Sequence, residues 1–133
     1  MKNKKIILVT EDETSLRNAL YEKLTEEGFT VLEAKNGEEG LEISLREHPD
    51  LILADILMPR MDGLTMIKKL REDEWGKHAH FMILTNVNEV DEISTAMKLA
   101  QISEGESFEY FIKTDVKIAN IVESIKKKLN VKN

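Results

Sequence analysis

A chain of 133 residues lies in the commonest size range for one domain and can bury a core without disulfides or structural metal. Its 25 acidic and 19 basic residues give a net charge of −6, which disfavours nucleic acid as a direct ligand because a phosphate backbone would be repelled over most of the surface. There is no cysteine, which excludes disulfides and thiolate zinc sites, and the apolar run behind Lys4-Lys5 stops at Glu11, too short for a signal peptide's apolar region or a membrane span. The expectation is a cytoplasmic protein of one domain over residues 1–133, with its core from about residue 4 to 129 and no membrane contact.

Short apolar runs alternate with amphipathic segments five times. Ile6–Thr10 reads as a strand, and Thr14–Glu27 as a helix with Leu16, Leu20 and Leu24 on one face, stopped at Gly28. Phe29–Ala34 is the second strand, followed by a helix over Gly37–Glu47 that carries Leu41 and Leu45 and is ended by Pro49. Leu51–Asp55, nearly all apolar, is the third strand, as expected for one covered on both faces. The loop Ile56–Gly63 leads to a helix over Leu64–Glu72, with Trp75 closing it against the core. Phe81–Thr85 is the fourth strand, Glu89–Ile102 the fourth helix, Phe108–Ile112 the fifth strand, and Val116–Leu129 a fifth helix with Ile118, Val122, Ile125 and Leu129 on its buried face. The basic run Lys126-Lys127-Lys128 ends that helix, where cations complement the helix dipole.

Regular βα alternation implies a doubly wound α/β fold with a five-stranded parallel sheet, usually ordered 2-1-3-4-5, so strands one and three are neighbours. Acidic residues close both of those runs: Glu11 and Asp12 after the first, Asp55 after the third. Thr85 and Lys113 close strands four and five at the same edge. Three adjacent carboxylates raise one another's pKa unless they are compensated, and a divalent cation together with Lys113 would neutralise them. Oxygen-only ligands favour Mg²⁺ or Mn²⁺ over Zn²⁺. No glycine-rich turn follows the first strand, which argues against a nucleotide or flavin binder. A carboxylate beside a bound divalent cation, with a lysine and a hydroxyl aimed at the same space, suits phosphoryl transfer to that carboxylate, and Asp55 is the best nucleophile. His48, His78 and His80 form no ligand set, and Met58, Met61 and Met66 read as packing residues.

Thr10-Glu11-Asp12-Glu13, the stretch Asp50–Gly63, Met82-Ile83-Leu84-Thr85 and Tyr110-Phe111-Ile112-Lys113 together resemble the receiver domain of two-component response regulators, over about Lys4 to Leu129. The resemblance implies a flavodoxin-like (βα)5 receiver of the stand-alone type. It also implies that Asp55 accepts a phosphoryl group from a histidine kinase or phosphotransfer protein. Mg²⁺ would be held by Asp12, Asp55 and the backbone carbonyl of Leu57, with Glu11 acting through metal-bound water. Lys113 would contact the phosphoryl group, Thr85 would move toward it, and the rotamer of Tyr110 would follow. Such a protein is not an enzyme beyond promoting its own phosphorylation and dephosphorylation. It signals to a protein target through the face made by the fourth helix, fifth strand and fifth helix, as a monomer or weak homodimer.

The chain departs from the family pattern at several positions. Thr114 stands where most receivers have proline behind a cis bond, and Thr114 or Asp115 could cap the fifth helix. Asn86 replaces a small residue after Thr85, and Glu104-Gly105-Glu106-Ser107 replaces the common turn before strand five in a lengthened fourth crossover. Leu57 and Val87 flank the site with apolar side chains, which predicts slow self-dephosphorylation. These departures keep a second reading open, a non-phosphorylated interaction module with impaired switching.

Overall fold

The computed structural model describes residues 4–86 and 109–131. Their elements run β1 (Ile6–Thr10), α1 (Thr14–Glu26), β2 (Thr30–Ala34), α2 (Gly37–Glu47), β3 (Leu51–Asp55), α3 (Gly63–Arg71), a short 3₁₀ turn (Gly76–His78), β4 (Phe81–Thr85), β5 (Glu109–Ile112) and a C-terminal helix (Ile118–Lys128). All strand pairings are parallel, in the order β2-β1-β3-β4-β5. Parallel neighbours need long crossovers, and the amphipathic segments between the strands supply them. The expected fourth helix, Glu89–Ile102, lies outside the described residues, as do Val87, Phe108 and the Glu104–Ser107 turn.

The two-residue period of the strands distributes the core. Ile7 and Val9 of β1, Leu51 and Leu53 of β3, and Met82 and Leu84 of β4 pack with Leu20 and Leu24 of α1 and with Ile121, Val122 and Ile125 of the C-terminal helix. The alternate residues Leu8, Ile52, Ala54, Phe81 and Ile83 pack with Met66, Ile67 and Leu70 of α3 on the other face. Every residue of β3 and β4 is therefore buried. Each fully buried aliphatic side chain stabilises the fold by about 1.5–3 kcal/mol, enough to fix the register that sets the strand ends. No helix among the described residues is long and apolar enough to cross a membrane.

Two local expectations change. The buried face of α2 is formed by Gly37, Gly40 and Ser44, while Leu41 only flanks the core and Leu45 is 40% exposed. The cause is close approach: a Cβ on Gly40 would meet the Met66 sulfur at 2.6 Å, so α2 turns its small residues toward α3. The C-terminal helix begins after Lys117, which makes no side-chain cap, and the Thr114 hydroxyl instead lies 3.4 Å from Asp115 Oδ1 at the surface. Neither Thr114 nor Asp115 caps it. His48 ends α2 in the left-handed region at φ 49 and stacks on Trp75, with ring centroids 4.5 Å apart and 7° between planes, so Trp75 packs between the core edge and α2.

Candidate functional site

Register brings the acids together. Thr10 of β1 pairs with both Ala34 and Ala54, and one residue further on the chains of β1 and β3 emerge side by side as Glu11 and Asp55. One carboxylate oxygen each from Glu11, Asp12 and Asp55 lies within 4.8 Å of the others. Glu11 is wholly buried and Asp55 is 2% exposed, whereas Asp12 faces solvent. The buried pair meets Lys113, which stands one residue past β5 because its N–H donates to Thr85 O at 2.8 Å and prolongs the ladder. Its Nζ donates to Asp55 Oδ2 at 2.8 Å and lies 2.9 Å from Glu11 Oε1. No peptide bond among the described residues is cis, so the Lys113–Thr114 bond is trans, and the ammonium still reaches both acids.

The loops around the site are held by their own hydrogen bonds. Glu11 Oε2 accepts the Glu13 N–H at 3.0 Å. Asp62 caps α3 by accepting from the Thr65 N–H at 2.7 Å and from its hydroxyl at 3.1 Å, and Asn36 caps α2 by accepting from the Glu39 N–H at 2.9 Å. Both caps were legible as Asp or Asn ahead of a helical pattern, although the sequence reading assigned neither. The loop from Asp55 to Gly63 folds back tightly: the Gly63 N–H donates to Ile56 O at 2.8 Å, and a Cβ on Gly63 would overlap the carbonyl of Asp55 itself. Any larger residue there would push against the strand end that carries the acid. The Gly37 N–H donates to Met61 O at 3.0 Å, which ties the same loop to α2.

Burial raises the Asp55 pKa from its ordinary value of 3.8 to about 7; the Lys113 hydrogen bond opposes this and the neighbouring Glu11 charge adds to it. For Lys113 burial works against the charged form, but the hydrogen bonds and charges of Asp55 and Glu11 outweigh it and hold the ammonium above its ordinary value. With all three carboxylates ionised, one ammonium leaves two negative charges uncompensated, the charge of one divalent cation. Asp55 Oδ1 fits that account, since it is buried and has no hydrogen-bond partner among the described residues. An unpaired buried carboxylate oxygen is costly unless a cation or donor meets it.

The remaining predicted residues are placed less tightly. Thr85 is fully buried at the end of β4, and its hydroxyl donates to Asn86 O at 3.1 Å. Leu57 lies two residues past Asp55 with its side chain 56% exposed, and Tyr110 lies on β5, 43% exposed. An open cleft of about 440 Å³ adjoins the acids, lined by Glu13, Ser15, Leu16, Asn86, Lys113 and Thr114. One residue near the acids was missed from sequence: Arg17, whose guanidinium donates to the Glu11 carbonyl at 2.8 Å and to Glu33 Oε2 at 3.2 Å. No local pattern signals it, because its two partners lie on different segments.

A parallel sheet with this order and an acid cluster at the ends of strands one and three defines a receiver-type phosphoacceptor fold. Comparison with known proteins agrees: the family described as "Response regulator receiver domain" matches residues 7–104, and the chain belongs to that family. Sporulation initiation phosphotransferase F of Bacillus subtilis (strain 168) is 32% identical over 103 residues, covering 77% of this chain and 81% of that protein. The probable transcriptional regulator ycf27 of Porphyridium aerugineum is 36% identical over 96 residues, 72% of this chain but 39% of that protein, so the chain spans well under half the length of such relatives. The crystal structure of a CheY-like response regulator receiver domain protein from Methanospirillum hungatei JF-1 superposes with a TM-score of 0.81 at 26% identity, covering 96% of this chain and 95% of that one. The cluster of Glu11, Asp12 and Asp55 with Lys113 matches the phosphoacceptor and metal site of receiver domains, whose chemistry is their own phosphorylation and dephosphorylation. Family membership also implies a histidine-kinase or phosphotransfer partner in general terms.

Proposed function

We propose that this protein takes a phosphoryl group from a phosphohistidine donor onto Asp55 and relays the signal by protein contact, with residues 1–133 acting as one receiver domain. The observation that carries the reading is Asp55 itself, buried beside two further acids, with Oδ2 held by Lys113 and Oδ1 unpaired. In the transfer the Asp55 carboxylate forms an O–P bond as the donor's P–N bond breaks, and the imidazole leaves with the electron pair of that bond and takes up a proton. Lys113 is placed to shift from carboxylate to phosphoryl oxygen, and the Thr85 hydroxyl to exchange its Asn86 carbonyl partner for another phosphoryl oxygen.

The cation we assign is Mg²⁺, with Mn²⁺ as a substitute, held by Asp12, Asp55 and the Leu57 carbonyl and reached by Glu11 through water. When bound it neutralises the acids and the charge on the phosphoryl oxygens. The proposed donor is a histidine kinase or phosphotransfer protein. The proposed output face includes β5 and the C-terminal helix, in a cytoplasmic monomer or weak homodimer. Tyr110 is the proposed reporter residue on that face, and its 43% exposure leaves its ring room to turn.

One observation bears on the second reading, an interaction module that keeps the acids without switching: the Thr85 hydroxyl donates to the carbonyl of Asn86, a partner it has to leave in order to meet a phosphoryl oxygen. Amide NMR with Mg²⁺ and beryllofluoride, a phosphoryl mimic, separates the two. Shifts that begin near Asp55 and reach Thr85 and Tyr110 are expected for a switching receiver; shifts confined to Asp55 favour the uncoupled module, and no response would overturn the phosphoacceptor reading.

The exposed, apolar Leu57 side chain offers no hydrogen bond to a water attacking the acyl phosphate in line. Leu57→Asn is therefore expected to speed acyl-phosphate decay several-fold, on the scale of one added hydrogen bond of about 1 kcal/mol. Decay followed after removal of the donor checks this, and unchanged or slower loss in the variant counts against it.

A further inference from the structure

Two of the three clustered acids are held in place by visible contacts, and the third is not. Glu11 and Asp55 are buried and share Lys113. Asp12 is exposed, and among the described residues no hydrogen bond or ion pair holds its side chain. Its aim depends on the backbone that carries it. The peptide unit linking Glu11 to Asp12 is planar, so fixing its carbonyl oxygen also fixes the N–H and Cα of Asp12. Arg17 fixes that oxygen. Nη1 donates to Glu11 O at 2.8 Å, while Nε donates to Glu33 Oε2 on β2 at 3.2 Å. The Arg17 side chain is 16% exposed and that of Glu33 34%, so this is a partly buried fork spanning α1, the acid turn and β2. The Glu11 N–H is held from the same strand by Ala34 O at 2.9 Å.

We propose that Arg17, anchored by Glu33, is a positioning residue for the divalent-cation site, holding the Glu11–Asp12 peptide so that the Asp12 carboxylate faces the two buried acids. The inference rests on the cation site proposed above. Charge alone predicts the opposite sign for Arg17: a guanidinium near the acids repels a cation, so its removal would tighten binding. The clamp predicts weaker binding when it is removed. Glu33 both anchors the guanidinium and balances its charge, so its neutralisation weakens binding on either count.

The test is a Mg²⁺ titration of the full chain followed by amide NMR, with melting temperature in EDTA as a second readout, on the unsubstituted protein, Arg17→Met, Arg17→Lys and Glu33→Gln. Loss of a residue that orients a metal ligand typically weakens affinity by about 10–100-fold, and for this partly exposed fork the lower end is expected for Arg17→Met. Arg17→Lys keeps one contact and recovers part of the affinity, and Glu33→Gln, which keeps an accepting oxygen but loses the charge that balances the guanidinium, weakens it by a smaller factor than Arg17→Met does. Unchanged or tighter binding in Arg17→Met overturns the clamp, as does a lowered melting temperature with unaltered affinity. If Arg17→Met does not fold, unaltered affinity in both of the other variants overturns it. Failure of the unsubstituted protein to bind Mg²⁺ overturns the cation site and the clamp together, whereas a failure confined to the variants' predicted order overturns the clamp alone.

Discussion

Asp55→Asn is expected to abolish phosphoryl acceptance and, without metal, to make the protein more stable above pH 7. The first effect follows because an amide oxygen cannot form the acyl phosphate. The second follows from the site's electrostatics. Asp55 titrates near 3.8 in the unfolded chain and at about 7 in the folded one, mainly because burial disfavours its charge. Between those values the folded state keeps a proton that the unfolded state has lost, so this group's contribution to stability declines as pH rises from about 4 to about 7 and is flat above. A shift of this size corresponds to a few kcal/mol. The raised pKa of Lys113 has no part in that window: its stabilising contribution is complete below its ordinary 10.5 and is lost only as pH rises through its still higher folded value. The Asn variant has nothing to ionise at position 55, and its amide oxygen can still accept from Lys113. Urea unfolding in EDTA from pH 5 to pH 8 should show a shallower slope and higher stability at pH 8 for the variant. Phosphoryl incorporation from a phosphoramidate should be undetectable. Persistent incorporation, or a variant less stable at pH 8, would sink this account of Asp55.

Lys113→Met is expected to have the largest effect in the other direction. The ammonium is paired with both buried acids, and its removal leaves two carboxylates facing each other without compensation. Removing one partner of a buried ion pair costs about 3–5 kcal/mol. At pH 8 and without metal the loss should be near the lower figure, because protonation of one acid relieves part of the repulsion; at pH 6 it should be smaller still. Millimolar Mg²⁺ should recover part of the loss, since a cation that binds only the folded state stabilises it. Phosphoryl acceptance should fall about 100-fold or more, the usual scale for losing one donor that meets developing charge. Denaturation curves in EDTA and in Mg²⁺, paired with phosphorylation rates, measure both effects. Equal stability of the two proteins without metal would show that the Lys113 pairs contribute nothing to the fold.

The strands were the most legible part of the chain, and the reason is physical. Leu51–Asp55 and Phe81–Thr85 are buried on both faces, so their apolar runs are unbroken and their ends coincide with the first polar residue. Those ends carry Asp55 and Thr85, which is why the site could be read from the same pattern. Helix faces were less legible. Leu45 looked like a core residue by spacing, yet α2 buries Gly40 and Ser44 because α3 approaches too closely for a larger side chain. The cap expected at Thr114 or Asp115 failed because the chain makes a further turn before the C-terminal helix starts after Lys117.

By itself the sequence determined which residue types stand at the strand ends, and so the chemistry available there: three acids, a hydroxyl and an ammonium. Tertiary structure alone decided how they meet. Burial of Asp55, the double reach of Lys113 and the hold of Arg17 and Glu33 on the acid turn all join residues far apart in the chain. Local patterns report what a segment prefers, whereas burial and charge coupling arise only when segments are brought together by the register of a packed sheet.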